Sequence, residues 1–361
     1  MRVLYASHDY STHDRRFLQA LVSGGHETHF VAVGRAETAL EFRGVPETVR
    51  QWAWTGSPVR DGAAARAEVG RWRELLAALK PDVVHAGPLP SVALCAALAG
   101  GVPLLAMSWG SDVMQEAAGD EIVRRDVVRV LTLARGVVAD CHAVRDLCVA
   151  WQPLSAPKLT VFPWGLDLPR YRPSSGGGAG ALVVLSTRTW APIYGIATVL
   201  RGFASAAGQI EALRLLLAGD GPLREEVRVL VSKLGIADRV TMPGRVSQDA
   251  IADLYGSADV YVSASHSDGT SISLLEAMAS ALPVVVSDLP ANREWIGPDD
   301  SGGFLVPVGD AAELARSLVQ LQSTQLRARM GRRNREVALA RADWRQHEAS
   351  YLDAVAAAAA P

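Results

Sequence analysis

The stretch that decides the fold is Ser265 to Asp288, SHSDGTSISLLEAMASALPVVVSD. It opens polar, with Ser265, Ser267, Asp268, Gly269, Thr270, Ser271 and Ser273 crowded together, passes into a short helical pattern, LLEAMA, and ends in a dry β run, PVVV. A loop of small residues opening a helix leaves several backbone N–H groups without partners. Together with the helix dipole, those groups suit a bound phosphate. Asp268 and Glu276 bracket that anion cradle. Carboxylates repel phosphate, so they are better read as acceptors for hydroxyls: a ribose, a sugar, or both.

The same rhythm runs outward on both sides. ALVVLST (181–187), LRLLLAGDG (213–221), RVTMPG (239–244), DVYVSAS (259–265) and Gly303 to Pro307 read as strands, with helical patterns near 197–206, 223–234 and 248–255 between them. That alternation predicts a doubly wound α/β domain. Pro173 to Gly180, PSSGGGAG, is a flexible connector by composition. Before it lies a second such series: RVLYA (2–6), HETHFVAV (26–33), DVVHA (82–86), PLLAMSW (103–109), GVVAD (136–140) and KLTVF (158–162). Its βαβ opening predicts a parallel sheet whose strand-end loops line a ligand crevice. The first of these loops, SHDYSTHD, lacks the dinucleotide fingerprint GxGxxG. The expected division is 1–173, 174–340, and a C-terminal helix over 341–361 that packs back on the first domain.

Composition narrows the function. A chain of 361 residues exceeds the size of one core, so two domains are expected. Hydrophobic content is 49%, with 20% charged residues, which suits a packed α/β protein rather than a disordered one. The formal net charge of −2 gives no general attraction to nucleic acid. Cys95, Cys141 and Cys148 sit in apolar runs at spacings that fit neither a disulfide framework nor a zinc site. No apolar run reaches the ~20 residues of a membrane span, and the N-terminus has no signal-peptide core. The expected setting is cytoplasmic.

LLEAMASALPVV resembles the phrase LLEAMACGLPVV of glycosyltransferase family four, the retaining, nucleotide-sugar-dependent enzymes of the GT-B fold. That fold places two doubly wound, Rossmann-like α/β domains facing across a cleft. LLLAGDGP (215–222), RVTMPGRV (239–246), DLPANREWI (288–296) and VFPWGLDLPRYRP (161–173) resemble further phrases of the family, and MSWGSDV (107–113) resembles its acceptor-side loop. The family places a Glu, seven residues, then a second Glu; here Glu276 takes the second position and Asp268, one methylene shorter, takes the first. The resemblance implies that Glu276 holds the donor ribose and Asp268 the sugar. Arg188 and the backbone of Gly269, Thr270, Ser271, Ile272, Ser273 and Leu274 would hold the phosphates. Gly244, Arg245 and Val246 would meet the nucleobase.

Two departures stand out. The family's phosphate-binding Lys is Tyr194 here, six residues after Arg188, which shifts the neutralisation of the diphosphate onto Arg188, backbone N–H groups and, as a helper, Arg293. The family's His-Gly after the fourth strand is Trp109-Gly110, so a face for stacking on a sugar replaces a hydrogen-bonding ring. His13, Ser108, Trp109 and Asp112 are the acceptor-side candidates. His8, Asp9, His13 and Asp14 match no metal signature, and the resemblance implies no metal in the transfer step and no cofactor beyond the nucleotide-sugar substrate. Residues 1–173 carry 19 Lys and Arg against 18 Asp and Glu. That balance favours a small or soluble acceptor, with membrane contact as the lesser alternative. The expectation is thus a retaining, metal-independent hexosyltransferase acting on a natural product, a saccharide, or a thiol or alcohol. The alternatives are a membrane-associated transferase of glycan or lipid-linked saccharide, a nucleotide-sugar 2-epimerase, and a non-catalytic nucleotide-sugar-binding protein. The sequence carries no signal for the oligomeric state.

Overall fold

The structure is a computed structural model that describes residues 1–34, 41, 43–176, 180–297 and 301–360. Residues 177–179 of the Ser/Gly connector lie outside the described residues. The chain divides into two compact units: Met1–Trp164 with Arg345–Pro361, and Gly165–Trp344.

The first unit is built on one sheet of β1 (Arg2–Ser7), β2 (Glu27–Ala32), β3 (Arg50–Trp52), β4 (Val83–Ala86), β5 (Leu104–Met107), β6 (Gly136–Ala139) and β7 (Leu159–Val161). The spatial order is β3-β2-β1-β4-β5-β6-β7, and each described pairing is parallel. The central strands are apolar and almost wholly buried, as strands covered by helices on both faces must be. β3 escaped the sequence reading because RQW is a short, mostly exposed edge strand with no apolar run. The first helix, Thr12–Ser23, starts at a capping box: Ser11 caps it, and the Asp14 carboxylate accepts from Ser11 N at 2.7 Å. The Tyr5 hydroxyl donates to the same carboxylate at 2.9 Å. Burial raises the Asp14 pKa to about 6 against these bonds.

The C-terminal helix, Trp344–Ala359, completes this unit. Its buried Tyr351 hydroxyl lies 2.9 Å from His85 Nδ1, and its ring packs at 4.8 Å from Phe17 and 6.4 Å from Phe162. Burial lowers the His85 pKa to about 3, so the imidazole is neutral.

The second unit contains β8 (Leu182–Ser186), β9 (Leu213–Ala218), β10 (Val240–Gly244), β11 (Val260–Ser263), β12 (Val284–Ser287) and β13 (Gly303–Val306), in the order β10-β9-β8-β11-β12-β13, again parallel. Alternation sorts each strand between two cores: Val184, Val260, Val262 and Val285 face one, and Leu185, Tyr261, Val284 and Val286 face the other. The expected boundary at residue 173 is corrected to Trp164–Gly165. Leu166, Leu168 and Tyr171 are buried in the second unit's core and so belong to it. The long helix Thr324–Arg341 closes that core. Buried Asn334 donates to the carbonyls of Leu282 and Gly302, at 2.7 and 2.6 Å.

In both sheets the chain reverses direction beside its first strand, between β1 and β4 and between β8 and β11. In open parallel sheets, ligands bind outside the carboxyl ends of strands at such a switch point. Among the described residues, no helix is long and apolar enough to cross a membrane.

Candidate active site

Arg188 lies two residues past β8, and the loop 264–271 leaves β11, so the two segments flank the second switch point. Two contacts fix that meeting. The His266 N–H donates to the Ile193 carbonyl at 2.8 Å. Gly195, at φ +59°, brings its backbone so close to Ala264 that a Cβ there would lie 2.0 Å from the Ala264 oxygen. Only glycine fits that approach.

The side chains converge on the Arg188 guanidinium. Nη1 donates to the Ser271 and Ser273 hydroxyls at 2.7 and 3.0 Å, and Nη2 forms an ion pair with Asp268 Oδ2 at 2.8 Å. The guanidinium carbon stands over the Tyr194 ring at 4.1 Å from its centroid. Burial works against the charge of Arg188, but Asp268, helped by Tyr194, Tyr261 and Tyr255, more than offsets this and holds its pKa above the ordinary value. Burial raises the Asp268 pKa, opposed by Arg188, the Ser271 hydroxyl and the Gly269 N–H.

The hydroxyl chain has a direction. Tyr261 donates to Ser273 Oγ at 2.7 Å, and Ser273 and Ser271 lie 3.0 Å apart. With Arg188 donating to both serines, Ser273 passes its proton toward Ser271, and Ser271 donates to Asp268. The Ser271 hydroxyl is therefore turned away from capping, and the helix Ile272–Ala279 starts without a side-chain cap. Its first N–H groups are the ones a phosphate would meet. Ile272 and Leu274 pack their side chains into the core and can contribute only backbone there.

Gly244 ends the edge strand β10, Arg245 and Val246 follow it, and a glycine turn joins this segment to Arg188. The Gly219 N–H donates to the Gly244 carbonyl at 2.9 Å. A Cβ on Gly219 would lie 2.5 Å from the Arg188 oxygen, and one on Gly221 would lie 2.5 Å from the Trp190 oxygen. Val246 packs on the core, while Arg245 is exposed and acts electrostatically on Asp220. Arg293 is held outside this cluster by Asp288, with contacts of 2.5 and 2.7 Å.

Glu276 is 5% exposed, and its Oε1 accepts from the Tyr171 hydroxyl at 2.6 Å. Tyr171, Tyr255 and Tyr261 form an aromatic row beneath the loop, with centroids 6.2 and 5.9 Å apart. Tyr255 donates to the Ser273 carbonyl at 3.1 Å and accepts from Thr187 at 2.7 Å. Burial raises the phenols of Tyr255 and Tyr261, so both remain donors. The sequence reading missed this row. Its one signal was a tyrosine in a strand otherwise dry, since a buried phenol needs a partner.

In the first unit, the structure separates the acceptor-side candidates into two pairs. Ser108 and Asp112 are buried and bonded to each other at 2.7 Å. Asp112 also accepts from the N–H groups of Leu89, Trp109 and Val113, which makes it the anchor of the turn; burial nonetheless raises its pKa. Trp109 is half-buried and meets the His13 ring edge to face, with centroids 6.4 Å apart. Asp14 is taken up by the capping box and Tyr5, and His8 Nε2 lies 2.8 Å from Ser91 Oγ. Among the described residues, no group of three or more His, Cys, Asp or Glu could hold a metal ion.

Two Rossmann-like units, the second with charged side chains gathered at its switch point, have the architecture of the GT-B fold. The family profiles agree: "Glycosyltransferase Family 4" matches residues 11–170, and "Glycosyl transferases group 1" matches residues 169–337. The chain belongs to glycosyltransferase family four. It is 25% identical over 340 residues to N-acetyl-alpha-D-glucosaminyl L-malate synthase of Bacillus anthracis, covering 88% of this chain and 85% of that protein. It is 36% identical over 132 residues to the Bacillus subtilis protein EpsD; that stretch is 36% of this chain and spans only 34% of the relative's length. By fold it is similar to sucrose-phosphate synthase from Thermosynechococcus elongatus (TM-score 0.81, 18% identity, 98% of each chain). It is also similar to HepE of Anabaena in complex with UDP-glucose (TM-score 0.79, 18% identity, 99% of each chain).

Proposed function

We propose that the chain is a retaining glycosyltransferase that moves a hexose from a nucleotide-sugar donor to a small or soluble acceptor, with no metal ion in the transfer step. The observation that carries this reading is the Arg188 guanidinium, buried and oriented by Ser271, Ser273, Asp268 and Tyr194 beside the uncapped start of the helix Ile272–Ala279. A cation and a helix N-terminus at one point suit the diphosphate of a leaving nucleotide, whose charge grows as the glycosidic bond breaks. The solved structure of HepE with UDP-glucose supports the class of donor for a protein of this fold.

In the proposed reaction the bond from the sugar's anomeric carbon to the phosphate oxygen breaks, and its electron pair stays on the phosphate. The acceptor oxygen bonds the anomeric carbon on the same face, and its proton passes to the leaving phosphate. Arg188 and the N–H groups after Asp268 stabilise the departing charge. Asp268 accepts from a sugar hydroxyl and Glu276 from the ribose, while positioning supplies much of the remaining acceleration. The Trp109 face and His13 receive the acceptor. A soluble acceptor is favoured over a lipid-linked one because the Arg15 and Arg16 side chains of the first helix are half-buried, and Arg16 donates to the Trp164 carbonyl at 2.6 Å.

The test is a thermal-shift and turnover screen with UDP-, GDP-, ADP- and TDP-sugars on the wild type and on Glu276→Ala and Arg188→Ala. One nucleotide series should raise the melting temperature of the wild type and of neither variant. A screen in which no nucleotide-sugar moves the melting temperature would remove the donor site.

A further inference from the structure

Tyr171 is a side chain at this site for which the reaction above has no use. It sits in the segment that follows Gly165, after the short turn Leu168–Arg170, and is 3% exposed. Its hydroxyl donates to Glu276 Oε1 at 2.6 Å, a length characteristic of a hydroxyl bonded to a carboxylate. Its ring is held edge to face against Tyr255 at 6.2 Å and 72°. Its backbone is clamped as well. Arg335, from the helix Thr324–Arg341, donates through Nη1 to the Tyr171 carbonyl at 2.8 Å and to the Ala279 carbonyl. Ala279 ends the helix that carries Glu276. One guanidinium therefore ties Tyr171 to the far end of the Glu276 helix, where a cation also suits the dipole.

A carboxylate on a helix has several rotamers, and an outside donor to one oxygen selects among them. Packing alone would be met by phenylalanine; the hydroxyl adds the bond to Glu276. We propose that Tyr171 is a positioning residue that fixes the Glu276 carboxylate so that it recognises a vicinal diol, and that the ribose 2′-hydroxyl is read through this bond. The inference rests on the nucleotide-sugar reading of the site. It adds that discrimination of ribose from 2′-deoxyribose depends on a residue that does not touch the nucleotide.

The experiment measures binding of UDP, GDP and ADP and of their 2′-deoxy counterparts to the full chain by calorimetry, in the wild type, Tyr171→Phe, Glu276→Gln and the double variant. Melting temperatures are recorded alongside to confirm folding. The wild type should prefer the ribonucleotide. In Y171F the ribonucleotide should weaken by about three- to tenfold, since a bond to a charged group is lost, while the deoxynucleotide holds, so the ratio collapses toward one. With the matching sugar donor the loss should appear in KM rather than in kcat. On the E276Q background, Y171F should add nothing further. An unchanged ratio in Y171F, or an equal weakening of both nucleotides, would overturn the positioning role while leaving the donor site intact. A wild type that binds none of the six nucleotides would overturn the donor site and this role together.

Discussion

The Tyr194 ring lies under the Arg188 guanidinium, its centroid 4.1 Å from the guanidinium carbon. The ring face, not the hydroxyl, does the holding. Tyr194→Phe should therefore keep donor affinity within about twofold, and Tyr194→Ala should lose about tenfold, in line with the ~0.5–2 kcal/mol of a cation–π contact. Calorimetric titration with the nucleotide found in the screen distinguishes the two variants. If Y194F is as damaged as Y194A, the hydroxyl rather than the face is what matters.

Asp268 pairs with Arg188 at 2.8 Å, and in the proposed complex it must also accept from a sugar hydroxyl. Asp268→Asn removes the internal anion that competes with phosphate for Arg188. The free nucleoside diphosphate should bind more tightly, while kcat with the sugar donor falls by about a hundredfold or more, as loss of a group acting on developing charge does. Weaker diphosphate binding in D268N would rule out the competition between Asp268 and phosphate.

Gly195→Ala should be among the most damaging small changes in the second unit. It forces a Cβ to 2.0 Å from the Ala264 oxygen at a φ of +59°. The expected loss exceeds about 2 kcal/mol, because backbone strain and a steric clash add. Chemical denaturation measures it. A variant as stable as the wild type would mean that the 192–195 turn and the β11 loop are not held together as described.

His85 provides a pH test. Its folded pKa of about 3 lies below its ordinary 6.5, so between these values the unfolded chain binds a proton that the folded chain refuses. Stability due to His85 is therefore present above pH 6.5 and is lost as pH falls toward 3. Asp14 has the opposite sign: its pKa, raised to about 6, makes the folded chain hold a proton longer, so its contribution falls as pH rises from 3.8 to 6. The comparison that isolates His85 is wild type against His85→Gln. Between pH 6.5 and 4, the wild type should lose stability relative to the variant with a slope of up to about 1.4 kcal/mol per pH unit. Parallel curves would place the titration elsewhere.

The fold was largely legible because buried parallel strands are continuous apolar runs, and VVHA, LLAM, VYVS and VVVS stand out between polar loops. Strand β3 was not, since a mostly exposed edge strand has no such run. The domain boundary was misplaced by the PSSGGGAG composition. Flexibility of residues reads from sequence, but which core receives Leu166, Leu168 and Tyr171 depends on packing across the chain. Within the site, Asp268 could be picked out by its spacing from Glu276 in the LLEAMA phrase, and Arg188 by its place just past a strand end in STRTWAPIYG. The Tyr171–Glu276 bond joins residues 105 positions apart, and no spacing within a motif encodes it. Ser108 and Asp112 have side chains suited to touching a ligand, yet here they bond each other and the backbone of their own turn.

The return of the helix Trp344–Ala359 to the first unit bears on how the protein is made. Phe17, His85 and Phe162 leave the ribosome long before Tyr351 does, so the nascent first unit must wait with an aromatic face uncovered while the whole second unit is synthesised. Exposed apolar surface of that kind is where chaperones bind and where misassembly begins. A fragment ending at Trp164 would keep that face permanently bare, and a peptide carrying residues 345–360, added in trans, is the natural way to cover it.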